Sequence, residues 1–295
     1  MNQPVVVGYD GSTHSGEALT WATREARRLS APLRIVHVAH TITDGFVVAD
    51  RPLDLTAQVG AQVLAEAVEH AYAVDPDIDL STRLELRDSV PAILAEAGAL
   101  ARLLVVGSRG RGGFAGLLLG SVSIAVAAHA PCPVVVVRRQ PPPLADGSVR
   151  PVVVGVDGSE TSVRAVDFAF DQADRLGAPL VAVHAWEPPP MMGPVPGWRP
   201  DEMEELRMAE KVLLSESLAG HSDRYPDVEV RPVVLRGGPA HSVLVTAEDA
   251  QLLVVGSRGR GGFRGLLLGS VGQAVVHHAT CPVAIVHPAQ TTTRH

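Results

Sequence analysis

Short runs of β-branched and aliphatic residues alternate along this chain with longer segments whose apolar positions recur at helical spacing. Val5 to Tyr9 reads as a buried strand. After the turn residues of "DGSTHS", apolar positions at Ala18, Trp21, Ala22, Ala26 and Leu29 predict an amphipathic helix. "LRIVHVA" predicts a second strand and Leu55 to Ala73 a helix. "STRLELR" predicts a third strand, and Val90 to Leu100 a helix with Pro91 in its first turn. "LLVVG" predicts a fourth strand, Ser121 to His129 a helix, and Val134 to Val137 a fifth strand. Strand alternating with helix argues an α/β fold with a parallel sheet covered on both faces.

The pattern then starts again. "VVVGYDGS" at Val5 recurs as "VVVGVDGS" at Val152, and "RLLVVGSRGRGG" at Arg102 as "QLLVVGSRGRGG" at Gln251. A repeat this long means one domain duplicated, not a solenoid. The proline-rich stretch around "QPPPLADGS" marks a linker. The expected organisation is a first domain over 1–140, a linker over 141–149, a second domain over 150–288 and a loose tail over 289–295. In an open sheet of order 3-2-1-4-5, ligands bind at the carboxyl ends of the strands, where the order reverses between strands one and four. "DGS" and the glycine-rich loop therefore face one crevice in each domain.

Composition narrows the chemistry. Of 295 residues, 46% are hydrophobic, enough for real cores, and no apolar run is long enough to span a bilayer. The N-terminus lacks the basic-then-apolar pattern of a secretion signal, so the expected location is cytoplasmic. The net charge of −7 argues against nucleic acid as a partner. Cys132 and Cys281 stand at matching places in "HAPCPV" and "HATCPV" and read as packed thiols rather than a disulfide framework.

Candidate chemistry concentrates in "GSRGRGGFAGLLLGS", Gly107 to Ser121, and its second copy, Gly256 to Ser270, which differs only by Arg264 in place of Ala115. Gly107, Gly110, Gly112 and Gly113 permit unusual backbone angles and close approach of a ligand to the main chain. Exposed N–H groups in such a loop make an anion site. The loop runs into a helix that Ser121 is expected to cap, and that helix start also attracts phosphate. Arg109 and Arg111 add charge suited to phosphate. A structural turn that merely starts a helix is the competing reading. No P-loop is possible, because the only lysine, Lys211, lies in neither loop. A dinucleotide fingerprint belongs after the first strand, and this loop follows the fourth. Asp10 and Asp157 either cap their Asp-Gly turns or take part in the site.

The spacing G-x2-G-x9-G-S, found at Gly107/Gly110/Gly120/Ser121 and at Gly256/Gly259/Gly269/Ser270, resembles the ATP-binding class of universal stress proteins. "VGxDGS", the second-strand "VHV/VHA" and the "CPV" entry to the fifth strand extend the resemblance over nearly the whole chain. It implies two tandem Rossmann-like α/β/α sandwich domains, each with a five-stranded parallel sheet, and ATP as ligand. Separately, an Asp beside a phosphate repels it unless it takes ribose hydroxyls or a metal, which makes Mg²⁺ a candidate bridging ion. The resemblance further implies that Asp10 and Asp157 lie at the nucleotide and that Val38 and Ala185 touch adenine. Gly107, Arg109, Gly110, Gly120, Ser121, Val122 and Ser123 would hold phosphates and ribose. In the second copy these are Gly256, Arg258, Gly259, Gly269, Ser270 and Val271, and Gly272 replaces Ser123, which leaves that copy one hydroxyl short. The implied function is a nucleotide-dependent regulator in stress or growth arrest, with one ATP per domain. The alternative is a slow ATPase or nucleotidyl-transfer enzyme, for which no base or nucleophile stands out. A scaffold that ignores nucleotide is the third reading.

The fifth strand should be a sheet edge that invites association. In the family this edge builds dimers, so the two halves are expected to form a pseudo-dimer, and a homodimer is open. The loops after the second strand differ most between the halves and suit an unidentified protein partner. Met191, Met192 and Trp198 there are either a contact surface or a cover for the domain's own core. His37 and His184, inside the second strand, read as packed, hydrogen-bonded histidines. His129, His277 and His278 end the last helix of each half, where cations suit the dipole.

Overall fold

The computed structural model describes residues 3–39, 53–87, 89–112, 119–142, 144–188, 198–260 and 268–288. The chain divides into two compact units, Met1–Gln140 with Pro282–His295, and Pro141–Cys281.

In the first unit the chain forms β1 (Val5–Gly8), α1 (Thr13–Arg28), β2 (Leu33–Ala39), α2 (Leu53–Val74), β3 (Leu80–Leu86), α3 (Val90–Gly98), β4 (Leu103–Gly107), α4 (Ser121–His129) and β5 (Val134–Val137). The parallel strands lie in the order β3-β2-β1-β4-β5. Every residue of Val5–Val7 and Val134–Val137 is buried, as expected for strands covered on both faces. Each fully buried valine or leucine contributes roughly 1.5–3 kcal/mol over its exposed state. Helix α1 starts where the Ser12 side chain accepts the Ser15 N–H (3.2 Å). It buries Ala18, Leu19, Trp21, Ala22 and Ala26 and ends with Arg27 and Arg28 at its negative pole.

The second unit repeats this with β6 (Val152–Gly155), α5 (Glu160–Leu176), β7 (Leu180–Trp186), α6 (Pro200–Leu218), α7 (His221–Arg224), β8 (Val230–Arg236), α8 (Pro239–Thr246), β9 (Leu252–Gly256) and α9 (Ser270–His278). Its parallel order is β8-β7-β6-β9. Helix α5 ends on Gly177 at φ 59°, a left-handed stop that suits glycine.

The last strand, β10 (Val283–Val286), groups with the first unit and runs antiparallel to β5, with Val283 opposite Val136 and Ile285 opposite Val134. It covers the β5 edge. The buried ring of His287, just beyond β10, is hydrogen-bonded to the carbonyls of Cys132 (3.1 Å) and Ala127 (2.9 Å).

The paired histidines of the second strands do the same work in both units. His37 Nδ1 donates to the Tyr9 carbonyl and His184 Nδ1 to the Val156 carbonyl, each at 2.7 Å. Each fastens the strand to the segment that leads into the Asp-Gly turn. Cys132 and Cys281 are free and buried, and burial pushes both thiols up to about 12. That is the state of a packed thiol. The loop after β2, Met191 and Met192, and the tail over 289–295 lie outside the described residues. Trp198 is half-buried.

Candidate functional site

Asp10 stands just past β1, and its carboxylate reaches across to the loop after β4. Its Oδ1 accepts the Ser12 N–H (3.0 Å), closing the Asp-Gly turn, and its Oδ2 accepts the Arg111 N–H (2.8 Å). Asp157 repeats both bonds, with Ser159 N (3.0 Å) and Arg260 N (3.0 Å). Burial pushes the Asp10 carboxyl up. The hydrogen bonds from Ser12, Arg111 and Ser15 outweigh it and hold the group below its ordinary value.

The glycines serve this closure in a way that differs from the sequence-based expectation. Unusual backbone angles are expected of the loop glycines; among the described residues of the site the left-handed backbone lies in the Asp-Gly turns, at Gly11 (φ 77°) and Gly158 (φ 73°). It occurs at none of Gly107, Gly110, Gly112, Gly120, Gly256, Gly259 or Gly269. What those loop glycines allow is close approach. A Cβ on Gly110 would stand 2.5 Å from Asp10 Oδ2, and one on Gly259 2.5 Å from Asp157 Oδ2. A Cβ on Gly107 would meet the His14 carbonyl at 2.7 Å and Ser15 N at 2.9 Å, so this glycine lets the first turn of α1 sit on the end of β4. Gly256 does the same against Thr161. Gly112 has nothing within 4 Å.

The expected cap of the last helix, Ser121, is not the cap. The N-cap is Gly120, in extended backbone, and Ser121 is the first helical residue; Gly269 and Ser270 repeat this. A glycine cap has no side chain to accept the first N–H groups of the helix, unlike Ser12 on α1 and Ser159 on α5. The loop closes on itself through Gly120 N–H to Ser108 O and Gly269 N–H to Ser257 O, both 2.8 Å. Ser123 is buried, and its hydroxyl donates to the Gly107 carbonyl (2.6 Å), inside the fold. Ser121 is exposed and Val122 half-buried at the helix start, and Ser270 and Val271 repeat this.

Val38 and Ala185 lie at the carboxyl ends of β2 and β7, two residues past the register partners of Gly8 and Gly155. The sheet order sets β1 between Val38 and the loop, so a ligand touching both would straddle the Asp10 turn. Gly113, Ala115 and Arg264 lie outside the described residues.

Several polar residues of the site are not evident from sequence. Ser12 Oγ donates to the Arg109 carbonyl (3.3 Å), Asp10 N–H reaches Ser15 Oγ (3.3 Å), and Arg109 Nη2 donates to His14 Nε2 (3.2 Å). In the second unit the Thr161 hydroxyl donates to the Arg258 carbonyl, the Ser159 hydroxyl donates to Asp157 Oδ1 (2.6 Å), and Asp157 N–H reaches Ser162 Oγ (3.1 Å). The repeated pattern D-G-S-x-x-S is the signal that could have found the serines. Beneath each loop the buried hydroxyls of Ser108 and Ser257 have no hydrogen-bond partner among the described residues.

Fold and site together define a duplicated Rossmann-like α/β protein in which, in each half, the carboxylate of an Asp-Gly turn is bonded to the loop after the neighbouring strand. The sequence profile of the Universal stress protein family matches residues 1–138 and 148–287. A universal stress protein of Mycobacterium tuberculosis is 41% identical over 288 residues, covering 95% of this chain and 96% of that one. One of Mycolicibacterium smegmatis is 40% identical over 291 residues, covering 96% and 97%. The crystal structure of a universal stress protein from Archaeoglobus fulgidus superposes with a TM-score of 0.69 at 22% identity, covering 97% of each chain, a likeness of fold. The chain belongs to the universal stress protein family.

Proposed function

We propose that each half binds one adenine nucleotide, ATP, and that occupancy sets the protein's regulatory state in a stress response. The observation that carries this reading is the doubled cradle. In each half a carboxylate takes a loop N–H, and a Cβ on the neighbouring loop glycine would lie 2.5 Å from that carboxylate's Oδ2. A turn needed only to start a helix has no use for that approach. The carboxylate keeps lone pairs for ribose hydroxyls. The uncapped starts of α4 and α9 and the flanking Arg109 and Arg258 favour the phosphates. Among the described residues no cluster of three His, Cys, Asp or Glu could hold a metal, so Mg²⁺ would arrive on the phosphates with its own waters. Regulation then requires that ATP bind two conformations of the protein unequally.

The domain boundaries that go with this reading are 1–140 and 150–288, and pairing of the two halves or of two chains is part of it. The test is calorimetric titration of ATP with Mg²⁺ into protein freed of carried-over nucleotide. Two equivalents per chain support the reading. No binding at millimolar ATP rejects it.

A further inference from the structure

In each unit the third strand stands at the end of the parallel order, and the two edges differ in what they offer another strand. Leu33 N–H donates to the Asp79 carbonyl (2.8 Å) and Leu180 N–H to the Glu229 carbonyl (2.9 Å). In a parallel pair successive residues turn their backbone groups to opposite sides. Leu80, Thr82, Leu84 and Leu86 of β3 therefore present N–H and C=O outward, where no strand lies among the described residues. In β8 the outward positions include Pro232, which has no N–H to offer. Thr82 pairs with Ile35 and Pro232 with Ala182, the same place in the two sheets. The β8 edge is thus blunted against a further strand, and the β3 edge is not.

The β3 edge is also complementary to itself. With a second copy running antiparallel and Leu84 on the two-fold axis, Leu84 faces Leu84 and Thr82 faces Leu86 as hydrogen-bonded pairs, two bonds to a pair. Arg83 then faces Glu85 of the second copy, and Glu85 faces Arg83, at the closer, non-hydrogen-bonded positions where cross-strand charge pairs act. Moving the axis by one residue sets Arg83 against Arg83 or Glu85 against Glu85, so charge selects the register. Within one chain Arg83 meets Glu85 (2.6 Å) and Glu96 (3.4 Å), and Arg87 meets Glu85 (3.6 Å) and Glu96 (3.5 Å). Two cations and two anions leave this patch neutral, so it does not repel its own copy.

The covering helix fits the same axis. α2 packs on both β2 and β3. Centred between them, it stands about one strand spacing, roughly 5 Å, from the axis, which sets the two α2 helices roughly 10 Å apart. That is the ordinary separation of packed helices. His70 marks the flank of α2 that meets α1, through Thr20 (2.8 Å). Helical spacing puts Ala57, Ala61, Ala65, Val68 and Tyr72 on the flank away from it, small or apolar residues without charge, of which Tyr72 is 42% exposed.

We propose that β3 is the surface through which two copies of this chain pair, edge to edge and antiparallel about Leu84. This pairing stands or falls independently of nucleotide binding.

The molar mass of the full chain, measured by sedimentation equilibrium across the micromolar range, tests it, and a dimer is expected. Thr82→Pro places in β3 the residue that β8 carries at the same place, so the fold is kept and the outward N–H is lost. The dissociation constant should rise roughly thirtyfold or more, because two hydrogen bonds are removed per dimer. Arg83→Glu should weaken the dimer at least about tenfold, and Arg83→Glu combined with Glu85→Arg should restore it. If circular dichroism shows Thr82→Pro unfolded, the charge-reversal pair decides alone. A monomer at every concentration up to millimolar overturns the proposal. So does a dimer that folded Thr82→Pro leaves intact, or one that the charge swap fails to restore.

Discussion

Replacing Gly110 by alanine adds a single carbon, 2.5 Å from Asp10 Oδ2. Asp10 cannot simply step aside, because Oδ1 holds Ser12 N–H at 3.0 Å and Oδ2 holds Arg111 N–H at 2.8 Å. Relieving the overlap moves the carboxylate or the loop by enough to break the bond to Arg111. One hydrogen bond to a charged group is worth about 1.5–3 kcal/mol, and this half-exposed one belongs near the lower end. At about 1.4 kcal/mol per decade, ATP affinity at the first site should fall by at least about tenfold, with the second site unchanged. Gly112→Ala is the control. It has open space and no left-handed backbone, so its affinity should match the unaltered protein. The mirror variant Gly259→Ala should weaken only the second site. Calorimetry on the three variants decides the matter: two full-affinity sites in Gly110→Ala would refute the carboxylate-to-loop closure as the basis of binding.

Other perturbations separate scaffold from site. Gly107→Ala drives a Cβ into the His14 carbonyl at 2.7 Å, backbone that has little room to move, and should cost about 1–3 kcal/mol in thermal or denaturant unfolding; an unshifted midpoint would contradict the packing of α1 on β4. The Asp10 carboxyl is held below its ordinary value in the fold, so its ionised form stabilises the protein above about pH 4, and that share is lost as pH falls through the folded value. The stability gap between the unaltered protein and Asp10→Asn should therefore be widest near neutral pH and close in acid; a gap independent of pH would count against it. With both thiols pushed up to about 12 by burial, Cys132 and Cys281 should resist a thiol-alkylating reagent at pH 8 in the native protein and react on unfolding, read by mass spectrometry.

Much of this protein is written in local pattern. β2, β4, β5 and α4 fall on the residues that the alternation of valine runs and helical periodicity marks, because short-range sterics and burial decide them. The duplication and the candidate status of Asp10, Gly110, Arg109 and their counterparts are legible for the same reason: they are repeats within one line of text. What the line could not contain is the closure of the crevice. Asp10 meets Arg111 across 101 residues, and Ser12 meets Arg109 across 97. Only the β1–β4 neighbourhood in the sheet brings them together. For that reason the sequence suggests glycines for their backbone angles, whereas in the structure approach to a carboxylate or to a helix turn is what excludes a side chain. Ser123 follows the same logic. Its position marks it as a ligand-binding residue, but α4 packs it inward, where its hydroxyl holds Gly107. The placement of β10 beside β5 likewise rests on a pairing between residues about 150 positions apart, a long-range pairing that tertiary structure alone decides.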